Sequence, residues 1–130
     1  MPAKANFWLY KTSGETGWRG NNIRIAWLEI AIRQGDRSKL DELKDYASVS
    51  FGFETRTNAI KALQTLGFID KMHAINLVKA ARYWNPKLSQ PAREALNKYY
   101  AVKESRPFIE EALSTEQTNL KEVGIITGSK

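Results

Sequence analysis

The sequence predicts an all-α protein, an α-α superhelix of about three helical hairpins. Three observations carry this. Apolar residues recur at helical spacing in six segments, each bounded by a cap residue, a glycine or a proline. No stretch shows the period of two that a half-buried strand requires. And a small-large-x-x-large pattern returns along the chain: Ala26-Trp27-x-x-Ile30, Ala59-Ile60-x-x-Leu63 and Ala95-Leu96-x-x-Tyr99 begin 33 and then 36 residues apart. The helices in between keep step, since Leu40 and Leu43 return 35 residues later as Ile75 and Val78, and Val78 returns 35 later as Leu113. Two helices per unit of this size is a solenoid pattern. A single hairpin has too little apolar surface to stand alone, and stacking gives three of them a shared core. A compact six-helix bundle is the alternative packing of the same helices.

Each helix has its own warrant. In "NNIRIAWLEIAIRQGD" an asparagine near position 21 is the cap, and Ile23, Ala26, Trp27, Ile30 and Ala31 form the inward stripe, widened by Ile25, Leu28 and Ile32. Gly35 stops it. Ser38 caps the second helix, with Leu40, Leu43 and Ala47 on one face and Asp41 and Glu42 in the first turn, where the helix dipole favours anions. Glu54 or Thr55 opens the third, which carries Ala59, Ile60, Leu63 and Leu66 and ends at Gly67, a residue able to adopt the left-handed cap. Asp70 caps the fourth, with Ala74, Ile75, Val78 and Ala81 inward, and Asn85-Pro86 ends it because the residue before proline avoids the helical region. Ser89 caps the fifth, with Pro91 in its first turn and Ala92, Ala95, Leu96, Tyr99 and Tyr100 following. Arg106-Pro107 opens a short sixth helix through Phe108, Ile109, Ala112 and Leu113. The domain organisation that follows is an N-terminal extended or loop segment over 1–20, a helical repeat domain over 21–113, and a tail over 114–130 in which "VGIIT" docks in extended form.

Composition narrows the chemistry. The 130 residues contain no cysteine, which removes disulfides, thiolate zinc sites and cysteine nucleophiles together. Twenty basic against fourteen acidic residues give +6, a balance that serves an anionic partner or simple solubility; no run exceeds two like charges. No apolar run approaches the ~20 residues of a membrane span, and "FWLY" is an apolar core of only four residues, too short for a signal peptide. No membrane partner is expected, and the cytoplasm is the favoured compartment. The Met-Pro-Ala start fits a native start or the start of an excised domain.

Catalytic candidates fail one by one. The single histidine, His73, lacks the companions a zinc site needs and reads as a surface or capping residue. Asp41-Glu42 and Glu110-Glu111 are adjacent pairs, which point about 100° apart on a helix and do not converge on one atom. "GETGWRG" has glycines but no Lys-Ser/Thr ending and no preceding strand, so it reads as a connector rather than a phosphate loop. No catalytic, cofactor-binding or metal-ligating residue is assigned, and no cofactor is expected. The candidate partner-binding surface is Lys79, Arg82 and Tyr83, followed by Trp84: Lys79 and Arg82 are three residues apart and share a helix face, and the aromatic rings beside them offer stacking.

"FETRTNAIKALQTLGFID", followed by "AINLVKAARYWNPKLSQPAREALNKYY", resembles the paired helices of HEAT-like repeats; Arg56, Ala59, Ile60, Leu63, Leu66 and Gly67 carry the clearest part. More narrowly, residues 20–113 look like the C-terminal helical domain of gluzincin-type zinc aminopeptidases. The resemblance implies a non-catalytic scaffold that shapes or covers a site supplied by a catalytic domain, of the same polypeptide or of another protein. Any enzyme it belonged to would be a zinc metallopeptidase. The family's His-Glu-x-x-His has no counterpart here. The alternative is a stand-alone basic HEAT-like module for nucleic acid or a protein partner; HEAT-like DNA glycosylases are longer arrays, and their Asp-Trp-Arg set has no match in this chain.

Overall fold

The computed structural model describes residues 18–126, and among these every regular element is helical. Six α-helices follow in order: α1 (Trp18–Arg33), α2 (Leu40–Tyr46), α3 (Phe53–Leu66), α4 (Lys71–Ala81), α5 (Pro86–Tyr100) and α6 (Arg106–Thr115), with short 3-10 turns leading into α2 and α6. The all-α class read from the sequence is the class observed.

Local chemistry sets most of the helix ends. α1 and α3 close in the same way. Gly35 has φ +106° and Gly67 φ +70°, a region that costs a side-chain-bearing residue and not glycine. Their amides donate three residues back, to Ile32 and Gln64, while the next amides, of Asp36 and Phe68, reach back to Ala31 and Leu63. These paired bonds satisfy carbonyls that the helix leaves open. α6 ends with the same pair of bonds around Gln117, which holds φ +54° without being glycine. At the start of α4, Asp70 accepts from the His73 amide at 2.8 Å, as its sequence position required.

Other boundaries differ from the sequence reading. α1 begins at Trp18, so Asn21 lies inside the helix rather than capping it, and Trp18–Gly20 of the expected connector are helical; residues 1–17 of that segment lie outside the described residues. Ser38 does not cap α2: Asp36 caps the preceding 3-10 turn by accepting from the Ser38 amide, and α2 starts at Leu40. α3 starts at Phe53, with Gly52 in the capping position. α4 ends at Ala81, five residues before the proline expected to stop it. The largest shift is in α5. Asn85 caps it, accepting from Lys87 at 3.0 Å, and Pro86 is its first residue. Ser89 is therefore internal, and so is Pro91. A proline there has no N–H for the carbonyl four residues back, which is that of Lys87. Thr57 on α3 supplies the missing donor, its hydroxyl lying 3.1 Å from the Lys87 oxygen.

The helices pack as two groups of three. α1, α2 and α3 touch one another, α4, α5 and α6 touch one another, and α3 against α5 joins the groups. α1, α3 and α5 thus lie side by side in one row. α3 and α4 are consecutive in the chain, yet α4 makes its close approaches to α5 and α6 rather than to α3. The expected middle hairpin over 54–84 is in this respect a connection more than a packed pair. One core runs through both groups, from Leu28 and Leu43 through Ile60, Leu63, Leu77 and Leu96 to Ile109. Tyr99 fastens α5 to the end of α3, donating to the Phe68 carbonyl at 2.7 Å.

The first repeat pattern does not bury as the other two do. Ala59, Ile60 and Leu63 are sealed, as are Ala95 and Leu96, but Ala26 is exposed and Trp27 and Ile30 only half-buried. α1 instead turns Ile25, Leu28 and Ile32 inward. The 33-residue spacing from Ala26 to Ala59 therefore matches letters on different faces. Beyond α6 the chain folds back onto α5. Val123 and Ile125 are buried in the common core. Asn97 fixes this return: its amide nitrogen donates to the Gly124 carbonyl at 2.9 Å, and its oxygen accepts from the Ile126 amide at 2.8 Å.

Candidate functional site

The basic and aromatic residues singled out in the sequence lie where α4 ends, and the turn after it divides them between two neighbours. Lys79 and Arg82 face the end of α6. The Lys79 ammonium is 4.0 Å from the Glu116 carboxylate, and the Arg82 guanidinium donates to the Glu116 carbonyl at 3.3 Å. Both contacts stand at the surface, so they are weak, but they engage both cations with the same residue. Tyr83 turns the other way. Its ring lies 5.6 Å from the Arg56 guanidinium of α3 and stacks on Trp84, with centroids 5.6 Å apart and planes at 30°. Trp84 is 79% exposed, a large apolar surface left open to solvent. The three candidates thus share one corner without converging on one point.

Arg56 was legible in the sequence only as part of a packing motif. It sits three residues before Ala59 and four before Ile60, on the stripe that faces inward, and it is only 4% exposed. An arginine on an apolar stripe is the signal that singles it out. Burial lowers its pKa from the ordinary value, and the nearby Tyr83 phenol acts in the opposite sense.

The remaining polar groups are structural. The Arg24 guanidinium grips Glu42 through two bonds of 2.6 and 2.8 Å, joining α1 to α2; the hydrogen bond from Arg24 holds the Glu42 carboxyl below its usual value. Asp41 pairs with Lys44, Glu110 accepts from Tyr100, and Glu111 pairs with Lys71. Each adjacent carboxylate pair is thus divided between different partners. His73 corrects the sequence reading. Only its backbone takes part in the cap; its ring is fully buried, and neither nitrogen has a partner. Among the described residues no group of three or more His, Cys, Asp or Glu side chains comes together to hold a metal ion. No helix of the described residues is long and apolar enough to cross a membrane.

Two open grooves on the α1–α3–α5 row are mainly polar. One, between α1 and α3, is lined by Asn22, Glu29, Asn58, Lys61 and Thr65. Another, between α3 and α5, has Lys61, Gln64, Glu94 and Lys98 on its walls. Neither brings a nucleophile to a base. Compared with known proteins, the chain matches no family model, no curated protein and no solved structure.

Proposed function

We propose that this chain is a non-catalytic helical scaffold that docks against another domain or protein, in the manner the resemblance to the C-terminal HEAT-like domain of zinc aminopeptidases implies. The observation that carries the reading is Trp84, left 79% exposed and stacked on Tyr83 at the corner beyond α4. Aromatic side chains of this kind anchor protein interfaces. The row α1–α3–α5, with α4 and α6 packed together beside it, gives that corner its base. The partner is the catalytic domain of a metallopeptidase or a protein that this scaffold covers.

The nucleic-acid reading is favoured by the +6 charge and by the stacked rings, and disfavoured by the turn of Lys79 and Arg82 toward Glu116 and away from those rings. Three measurements on the purified chain test the proposal. Elemental analysis should find no zinc that survives dialysis, and assays on amino-acid anilides should find no hydrolysis; one bound zinc per chain or measurable turnover refutes a non-catalytic role. Titration with labelled duplex DNA at two salt concentrations separates the alternatives, because binding through several phosphates falls steeply with salt. Tight, salt-sensitive binding that is lost when Lys79 and Arg82 are both replaced by Ala would replace the docking reading with the nucleic-acid one.

A further inference from the structure

Arg56 is a charge that the described fold leaves uncompensated. The residue is 4% exposed and its Nε is sealed without a partner, while its two terminal nitrogens are not among the sealed atoms, and no described carboxylate pairs with it. Glu54, two residues away, points elsewhere on the helix and is exposed. The one described contact to its charge is the Tyr83 ring at 5.6 Å, a quadrupole attraction weaker than an ion pair. Arginine does not escape burial by losing its proton, and drawing its charge away from water without a counter-ion is unfavourable. The same fold shows how a partly buried guanidinium is ordinarily satisfied: Arg93 donates to the Ala81 and Glu122 carbonyls at 3.0 and 3.2 Å. At position 56 a leucine or methionine would fill an inward site at no electrostatic cost. A residue that breaks a local rule without an internal gain is a candidate for a gain supplied by a ligand.

We infer that Arg56 anchors a carboxylate-binding subsite at the junction of α3 with the α4–α5 turn, taking the carboxylate of a docking partner's chain end, with Trp84 as the flat surface beside it. The guanidinium fork matches a carboxylate through two parallel hydrogen bonds. With Nε sealed, the ligand meets the fork end-on through the two terminal nitrogens. Only 4% of the residue is open to solvent, so a slender chain end fits where the broad backbone of a duplex does not. Lys79 and Arg82 lean on Glu116, at the end of α6, rather than on the Arg56 fork. The inference rests on the docking reading for the identity of the partner, but its test needs no partner.

The test titrates the 15N-labelled full chain with sodium acetate at constant ionic strength, against sodium chloride and inorganic phosphate, and follows the Arg56 Nε–H resonance. The sealed Nε–H exchanges slowly with solvent, and its signal is assigned by its loss in Arg56→Lys. Acetate should move it along a saturating curve that chloride does not reproduce, with the Trp84 indole signal moving at the same concentrations. No saturating movement, or equal movement with chloride, overturns the subsite; tighter binding of phosphate than of acetate overturns the carboxylate assignment. Arg56→Met supplies a second readout: its melting temperature should equal or exceed that of the parent chain and no longer rise with acetate. A clear fall in melting temperature would make Arg56 a structural residue and end the proposal. Each of these outcomes is read on the isolated chain, so failure here leaves the docking proposal standing on its own tests.

Discussion

Acidification should destabilise this protein at a pH where its carboxylates are still ionised, and His73 is the cause. The imidazole is fully buried, its two nitrogens lack partners, and it meets the Tyr99 ring edge-on at 6.3 Å. Two charges reach it, Asp70 at the start of α4 and Lys44 from α2, and they act in opposite senses. Burial dominates and lowers the His73 pKa from 6.5 to about 4. The sign follows from proton counting. Between those two values the unfolded chain binds a proton that the folded chain refuses, so stability falls as pH falls. It is complete above pH 6.5 and declines down to about pH 4, where the folded state begins to protonate. At about 1.4 kcal/mol per pH unit the interval is worth roughly 3 kcal/mol, a large share of the ~5–15 kcal/mol that holds a typical domain folded. For a chain of this size that is a fall in melting temperature on the order of 10 °C. The assay is thermal or urea unfolding followed by circular dichroism at half-unit steps from pH 7.5 to 4.5, in the parent chain and in His73→Leu. The leucine variant removes two unpartnered polar atoms, so at pH 7 it should be as stable as the parent or more so, and its profile over this interval should be flat. The carboxylates act lower. Burial works to raise the Asp70 pKa, but hydrogen bonds from Lys44 and the His73 amide outweigh it and hold it low; its contribution is therefore lost only as pH falls through the acid range. Equal slopes in parent and variant, or an imidazole titration midpoint near 6.5 by NMR, would refute the reasoning.

Other expectations follow from packing and backbone chemistry. Leu63→Ala removes a fully buried side chain at the α3 contact with its neighbours and should cost about 2–5 kcal/mol by denaturant unfolding; an unchanged midpoint would mean the site collapses without loss. Thr57→Val leaves the Lys87 carbonyl without the donor that Pro91 cannot provide and should cost about 1 kcal/mol. In a Pro91→Ala background, where the helix supplies its own N–H, the same change should cost less, and a double-mutant cycle showing no coupling would disprove the link. Gln117→Gly relieves a left-handed residue at the end of α6 and should stabilise by up to ~1 kcal/mol. Asn97→Ala removes the bonds that hold Gly124 and Ile126 to α5, so the amides of 120–126 should exchange faster with solvent while those of α3 stay protected.

How much of this was legible before the tertiary structure depends on how local each feature is. The cap at Asp70 and the left-handed stop at Gly67 involve groups within a few residues, so residue type and position suffice to place them. The all-α class follows from periodicity alone. Asn85-Pro86 marks the right place, yet it begins α5 rather than merely ending α4. The pair is compatible with both roles, and only the Asn85 bond to the Lys87 amide decides between them.

Faces and partners are set by what stands opposite, and there the sequence runs out. α1 is apolar on more than one side, so its own residues cannot say that Ile25, Leu28 and Ile32 turn inward and Ala26 outward; contact with α2 and α3 makes the choice. His73 reads as a surface residue because a lone histidine is polar, but α4 lies against α5 and α6 and takes the ring into the interior. Lys79 and Arg82 share a helix face by spacing, yet the residue they both meet is Glu116, more than thirty residues on. Arg56 is the sharpest case. Its place on the inward stripe was there to be read, but that no described acid lies across from it is a property of the neighbouring helices, and it became visible only when those helices were packed.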